Sequence, residues 1–185
     1  MKTDEEQTPG LRAAILAGCM VAFLGFGFAA TFGVFLTPMS QDLGWGREVF
    51  SLSVAVQLLT WGFAQPIAGA IADRFGTARV LAFGAICAGI GFALRGITTD
   101  PTAFVLTGIF VGAGTGAASF PIVIGALGKI VRAERRSFIL GLGTAAASLG
   151  MFVAAPTATT MIGTIGWPTA LIVIGCSFAL ILPFL

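Results

Sequence analysis

Gly69-Ala70-Ile71-Ala72-Asp73-Arg74-Phe75-Gly76-Thr77-Ala78-Arg79 is the stretch that decides how the rest of this sequence reads. Three charges and two glycines interrupt a chain that is otherwise apolar from 49 to 72 and again from 80 to 94. Such a break between two apolar runs marks a short loop at a membrane surface. The whole composition agrees. Soluble domains carry roughly 25% charged residues, whereas these 185 residues are 10% charged and 57% hydrophobic. So few charges cannot wet so much apolar surface, so the solvent is lipid.

A helix crosses a bilayer in about 20 residues. Charges bound further apolar runs at 13 to 41, between Arg12 and Asp42, and at 101 to 128, between Asp100 and Lys129. The run after Arg79 extends to about Thr99 if Arg95 snorkels to the interface. No charge follows Arg136, which leaves 49 residues divided by Gly163-Thr164-Ile165-Gly166-Trp167-Pro168. Asp100-Pro101 and Trp167-Pro168 place proline in a first helical turn, where its missing N–H costs nothing. The sequence thus predicts an all-α membrane protein: a cytosolic tail over 1–11, then six helices at about 12–38, 48–72, 78–98, 101–127, 137–162 and 167–185.

With the N-terminus cytoplasmic, Lys2, Arg12, Arg74, Arg79, Lys129, Arg132, Arg135 and Arg136 lie inside and only Arg47 and Arg95 outside, the orientation favoured by the positive-inside rule. The acidic start, Asp4-Glu5-Glu6, is unlike the basic beginning of a signal peptide. Shifting the sequence by 90 residues places Pro66 on Pro156 and Gly76 on Gly166. Helices one to three and four to six then read as two copies of one unit. With an odd number of crossings per copy the second is inverted, as in secondary transporters.

At Gly69, Asp73, Arg74, Gly76 and Arg79 the loop resembles the cytoplasmic signature of the major facilitator superfamily, with Thr77 and Ala78 where that family usually has basic residues. Gly69 suits close helix contact, Asp73 can face a helix N-terminus, and Arg74 and Arg79 suit an anionic leaflet. Phe32-Gly33-Val34-Phe35-Leu36-Thr37-Pro38-Met39 and Gly44-Trp45-Gly46-Arg47-Glu48 are similar to the first helix and outer loop of oxalate/formate antiporters and monocarboxylate-carrier-like transporters. The resemblance implies half of a major facilitator fold in the cell (inner) membrane, moving a small solute, an organic anion such as a monocarboxylate, by alternating access. Two cations of related carriers are missing: helix four reads Thr107-Gly108, and Ala30 occupies the helix-one position of a carrier lysine.

Polar residues inside apolar spans are the first candidates for a substrate cavity. Ser53, Gln57, Trp61 and Gln65 recur every four residues on helix two; Gln57 and Trp61 offer an amide and an indole N–H to a carboxylate. Phe28 and Thr31, with Phe32 and Phe35, suit a cavity wall on helix one. Thr115 and Ser119 on helix four, and Thr144 and Ser148 on helix five, are further pairs at that spacing. Each of these has an ordinary packing account as well, since Ser and Thr often bond to their own backbone. Gly108, Gly112 and Gly116 give helix four a smooth face for another helix. The Gly-rich runs are not nucleotide fingerprints, because no strand precedes them.

The absence of His excludes His-containing metal sites and Ser-His-Asp chemistry. The three cysteines are far apart. No enzyme, metal, cofactor or nucleic-acid partner is expected. Every acid sits at a helix end, in a loop or in the tail, so the sequence places no proton carrier mid-membrane, and with Arg95 at the interface it places no buried cation there either. The chain is expected to need a second six-helix half, and alone to move no monocarboxylate. The alternatives are a half-bundle that binds a membrane partner without transport, and an exporter of another substrate class.

Overall fold

The computed structural model describes residues 9–123, 125 and 133–184, with side chains within 15–123, 125 and 137–183. The described elements are all helical: α1 (Pro9–Thr31), a 3-10 turn (Phe32–Phe35), α2 (Leu36–Leu43), α3 (Arg47–Phe75), α4 (Thr77–Ile97), α5 (Pro101–Ala117), α6 (Ala133–Ser177) and a 3-10 stretch (Phe178–Phe184). Five segments are long and apolar enough to cross a bilayer: Ile15–Leu43, Arg47–Phe75, Thr77–Ile97, Pro101–Val123 and Ser137–Pro183. The last has 47 residues, about 70 Å at 1.5 Å per residue. It is divided at Gly166, whose φ of 79° and ψ of 158° are not helical.

The first and fourth expected helices are corrected by prolines. Neither 12–38 nor 101–127 is one uninterrupted α-helix. Proline has no N–H for the carbonyl four residues back, and its ring crowds that carbonyl. For Pro38 the carbonyl belongs to Val34, inside the 3-10 turn Phe32–Phe35. For Pro121 it belongs to Ala117, the last residue of α5. The chain leaves the helix at Ala118 and Ser119 and is helical again from Phe120. The expected end of that helix, near 127, and the basic residues Lys2, Lys129 and Arg132 lie outside the described residues. The side chains of Arg12, Arg135 and Arg136 also lie outside them.

Gly76 joins α3 to α4 with φ 96° and ψ 139°, a backbone region closed to residues with a Cβ. The same region recurs at Gly166. The bundle closes through seams of α3 with α5, α1 with α6, and α4 with both α5 and α6. Each seam is dense because glycine brings backbones together. A methyl group at Gly112 would overlap the Gln57 carbonyl oxygen, and one at Gly150 the Phe23 carbonyl oxygen. Gly89 and Gly175 face each other, so that a methyl on Gly175 would stand 2.5 Å from the Gly89 oxygen. Phe63, Phe83, Phe138 and Phe152 point outward, the apolar exterior that lipid requires.

Candidate functional site

Polar side chains of three helices meet at Arg95. It occupies the last turn of α4 and has no exposed surface. The expected snorkelling does not occur. Side chains on a helix lean toward its N-terminus, so Arg95 reaches back into the bundle and away from the helix end nearest to it. Gly108 leaves space for it, since a methyl there would lie 3.5 Å from Arg95 Nη2 and 2.6 Å from the Ser53 carbonyl oxygen.

The guanidinium donates from Nε to Thr107 Oγ1 at 3.2 Å, from Nη1 to Gln57 Oε1 at 2.8 Å and from Nη2 to Ser53 Oγ at 3.0 Å. Its carbon lies 4.2 Å from the centre of the Phe32 ring, 5.7 Å from Phe104 and 6.0 Å from Phe92, within reach of cation–π attraction. Phe32 is in turn stacked on Phe50 at 4.8 Å. Thr107 Oγ1 and Ser53 Oγ themselves donate to the Phe104 carbonyl, at 2.6 and 3.3 Å, which fixes both oxygens as acceptors for Arg95. Five N–H groups are available on a guanidinium and three are used. Among the described residues no carboxylate pairs with it. A charge in the interior of a membrane bundle costs about 2.5–3.5 kcal/mol on insertion scales, and here the three hydrogen bonds and the flanking rings offset that cost in place of a carboxylate.

A profile of the Major Facilitator Superfamily matches residues 17–185. The chain belongs to that superfamily. It is 24% identical over 157 residues to the probable sulfoacetate transporter SauU of Cupriavidus necator, covering 85% of this chain and 36% of the relative. It is 28% identical over 139 residues to human monocarboxylate transporter 11, covering 74% and 27%. It is also 32% identical over 171 residues to the probable anion transporter 1, chloroplastic, of Oryza sativa subsp. japonica, covering 90% and 32%. The chain spans less than half the length of these relatives. As a superfamily member with several apolar helices, it is a multi-pass membrane protein.

The other residues singled out from sequence fall in several places. Those of the superfamily loop motif stand together at the Gly76 end: Gly69 and Asp73, with Gln65, Pro66, Thr77 and Pro121, line a cavity of about 390 Å³, and Arg74 and Arg79 are exposed beside it. Gly108 and Gly112 touch the α3 backbone at Ser53 and Gln57, and Gly116 touches it at Trp61. Trp61 is half-buried, with its ring edge-on to Phe26 at 5.4 Å. Thr31 donates to the Gly27 carbonyl at 2.8 Å and Thr115 to the Val111 carbonyl at 2.7 Å, so both are tied to their own helices. Phe28 packs half-buried against the core. Ser119 is buried beside the break before Pro121 with no partner for its Oγ among the described residues, and Ser148 is exposed. Neither of the two cavities lined by described residues unites them. The cation that organises Gln57 was placed at the interface by sequence reasoning, although Gly108 and the lean of helical side chains were signals for its burial.

Proposed function

We propose that this chain is one six-helix half of a secondary transporter for a small organic anion, with its N-terminus in the cytoplasm of a cell and its substrate moved by alternating access. The observation that carries the reading is Arg95, a cation buried inside the bundle with no carboxylate against it among the described residues. The names of the relatives, which speak of anions, monocarboxylates and sulfoacetate, agree with an oxyanion as cargo.

The six-helix, two-copy organisation has its own support. Gly76 and Gly166, 90 residues apart, share one unusual backbone conformation, and Pro66 and Pro156 each lie ten residues before. If α6 is two crossings joined at Gly166, the α3–α5 seam has its counterpart in the α6–α1 seam, as an inverted repeat requires. The basic residues at the Gly76 end, against Arg47 and Arg95 toward the other, support the orientation. We read the motif around Asp73 as a gate toward the second half, and the glycine seams as surfaces on which helices tilt.

The test uses protein made from the whole reading frame that contains these residues, reconstituted in liposomes. Labelled acetate, lactate, oxalate and methanesulfonate are offered alongside a neutral sugar and an organic cation. Saturable uptake of at least one anion, without the sugar or the cation, is expected. Uptake restricted to neutral or cationic solutes would overturn the reading.

A further inference from the structure

Arg95 is fully buried, so an anion cannot meet its guanidinium directly; the group one step nearer the surface is Gln57. Arginine is only a donor. The 2.8 Å contact from Nη1 therefore fixes the Gln57 amide with Oε1 inward, and Nε2 with its two N–H groups must point the other way. Among the described residues nothing accepts from Nε2. Nor is Nε2 sealed in, because the one fully buried side-chain polar atom without a partner among those residues is Ser119 Oγ. The 2% of Gln57 that remains exposed thus includes a donor with nowhere to donate. One turn along the same face of α3, the indole N–H of Trp61 is likewise without an acceptor among the described residues. Gln57 lies ten residues into α3, about 15 Å along the helix axis, which is about half of a 30 Å hydrocarbon core.

We propose that Gln57 is the specificity-determining contact for the transported oxyanion, presenting its amide N–H groups with Trp61 Nε1 as the second donor and Arg95 as a positioning residue behind it. The inference rests on the organic-anion reading above. Arg95 does two things through one hydrogen bond. It locks the amide in the orientation that turns its donors away from the guanidinium. It also polarises that amide, since hydrogen bonds in a chain strengthen one another in a low-dielectric interior, and its charge attracts the anion without a direct ion pair. A carboxylate or sulfonate held by neutral donors in front of a sequestered cation is selected for charge yet remains free to leave, which transport requires.

The experiment separates recognition from support. Protein from the whole reading frame is reconstituted, and KM and kcat are measured for the panel anion taken up best. Gln57→Glu keeps an acceptor against Arg95 and adds an ion pair, so the fold survives; but it replaces the outward donors by a negative oxygen. Expected results are an unchanged or raised melting temperature and a fall of at least 100-fold in kcat/KM. Gln57→Leu is expected to raise KM at least 10-fold with kcat within about threefold. Trp61→Phe, which keeps the ring and deletes the N–H, is expected to raise KM about fivefold. If Gln57→Glu transports like the wild type, Gln57 only ties down Arg95 and the proposal is overturned. If Gln57 variants do not fold, an unchanged KM in Trp61→Phe overturns the donor pair instead. Wild-type protein that moves no anion sinks the organic-anion reading itself, a different failure from a transporting protein indifferent to Gln57.

Discussion

Two helices of this bundle carry polar residues at the same spacing of four, and the residues meet opposite fates. On α3, Ser53 and Gln57 are buried and bonded to α4 through Arg95. On α6, Thr144 and Ser148 are exposed, and Thr144 donates to its own helix at Leu140, as do Thr157, Thr160 and Thr164 to carbonyls of α6. If α6 is the second copy of α3, the packing was kept and the polar network was not. Ser53 and Gln57 correspond to Gly143 and Ala147, and the position matching Arg95 is Leu185. A polar stripe becomes a site only where a neighbouring helix supplies a charge for it to hold.

The largest expected effects test the half of this comparison that says the packing is alike. Gly112→Ala and Gly150→Ala each drive a methyl into backbone of the facing helix, which cannot turn aside as a side chain could. Each is expected to lose about 3 kcal/mol, the upper range of overpacking, read as a fall in melting temperature by fluorescence-detected size exclusion. Gly62→Ala, with nothing near the added methyl, should instead gain up to about 1 kcal/mol of helix propensity. A large loss at Gly112 with none at Gly150 would break the likeness of the two seams.

The turns come next in size. Gly76→Ala and Gly166→Ala force a Cβ into a region that only glycine populates readily, at about 2 kcal/mol each, and the two losses should agree. Gly44 has φ 65° and ψ 19°, the ordinary left-handed region, so Gly44→Ala should lose only about 1 kcal/mol. If Gly166→Ala were as mild as Gly44→Ala, the correspondence of the Gly76 and Gly166 turns would be lost.

Much of this organisation is legible in the residues themselves. Charges bound the apolar runs because lipid tolerates them only at the ends, and glycine followed by proline marks the division at 163–168. The coincidence of Gly76 with Gly166 stands out only against their shared backbone angles, which a sequence does not display. Pro121 was visible but lay inside an apolar run long enough to pass as one helix, so the break at Ala118 was missed. Arg95 was missed for a deeper reason. Whether a long cation snorkels or turns inward depends on the direction of its helix and on a vacancy in a neighbour, and that vacancy is Gly108, 13 positions away and on another helix. Gln57 was singled out for its spacing, yet its amide acquires an orientation only from the arginine.

Arg95→Met measures what the network adds to stability, and the loss should be small for the number of bonds removed. Ser53 and Thr107 keep their bonds to the Phe104 carbonyl, so only Gln57 Oε1 is left without a donor. Three charge-assisted bonds, at about 1.5–3 kcal/mol each, stand against the cost of a lone charge in the interior, about 2.5–3.5 kcal/mol. The difference runs from about 1 to about 6.5 kcal/mol, and the loss is expected toward its lower end because a single acceptor is left unpaired. Melting curves showing a loss above about 4 kcal/mol would mean that the arginine is chiefly a brace, and α3 would then differ from α6 in architecture and not in recognition.

The smallest effects belong to α6, and they decide whether its stripe is inert. Thr144→Val removes a hydroxyl that bonds only to its own helix among the described residues, a contact that adds little to a helix already bonded along its length. Ser148→Ala removes one that is exposed. Both should stay within about 0.5 kcal/mol of the parent, as surface changes do, and should leave KM for the anion within twofold. The informative failure is a rise in KM without any change in melting temperature. That result would give α6 a role in recognition despite its lack of a buried cation. The substrate would then bridge the two stripes, and the contrast between the helices would become a division of labour.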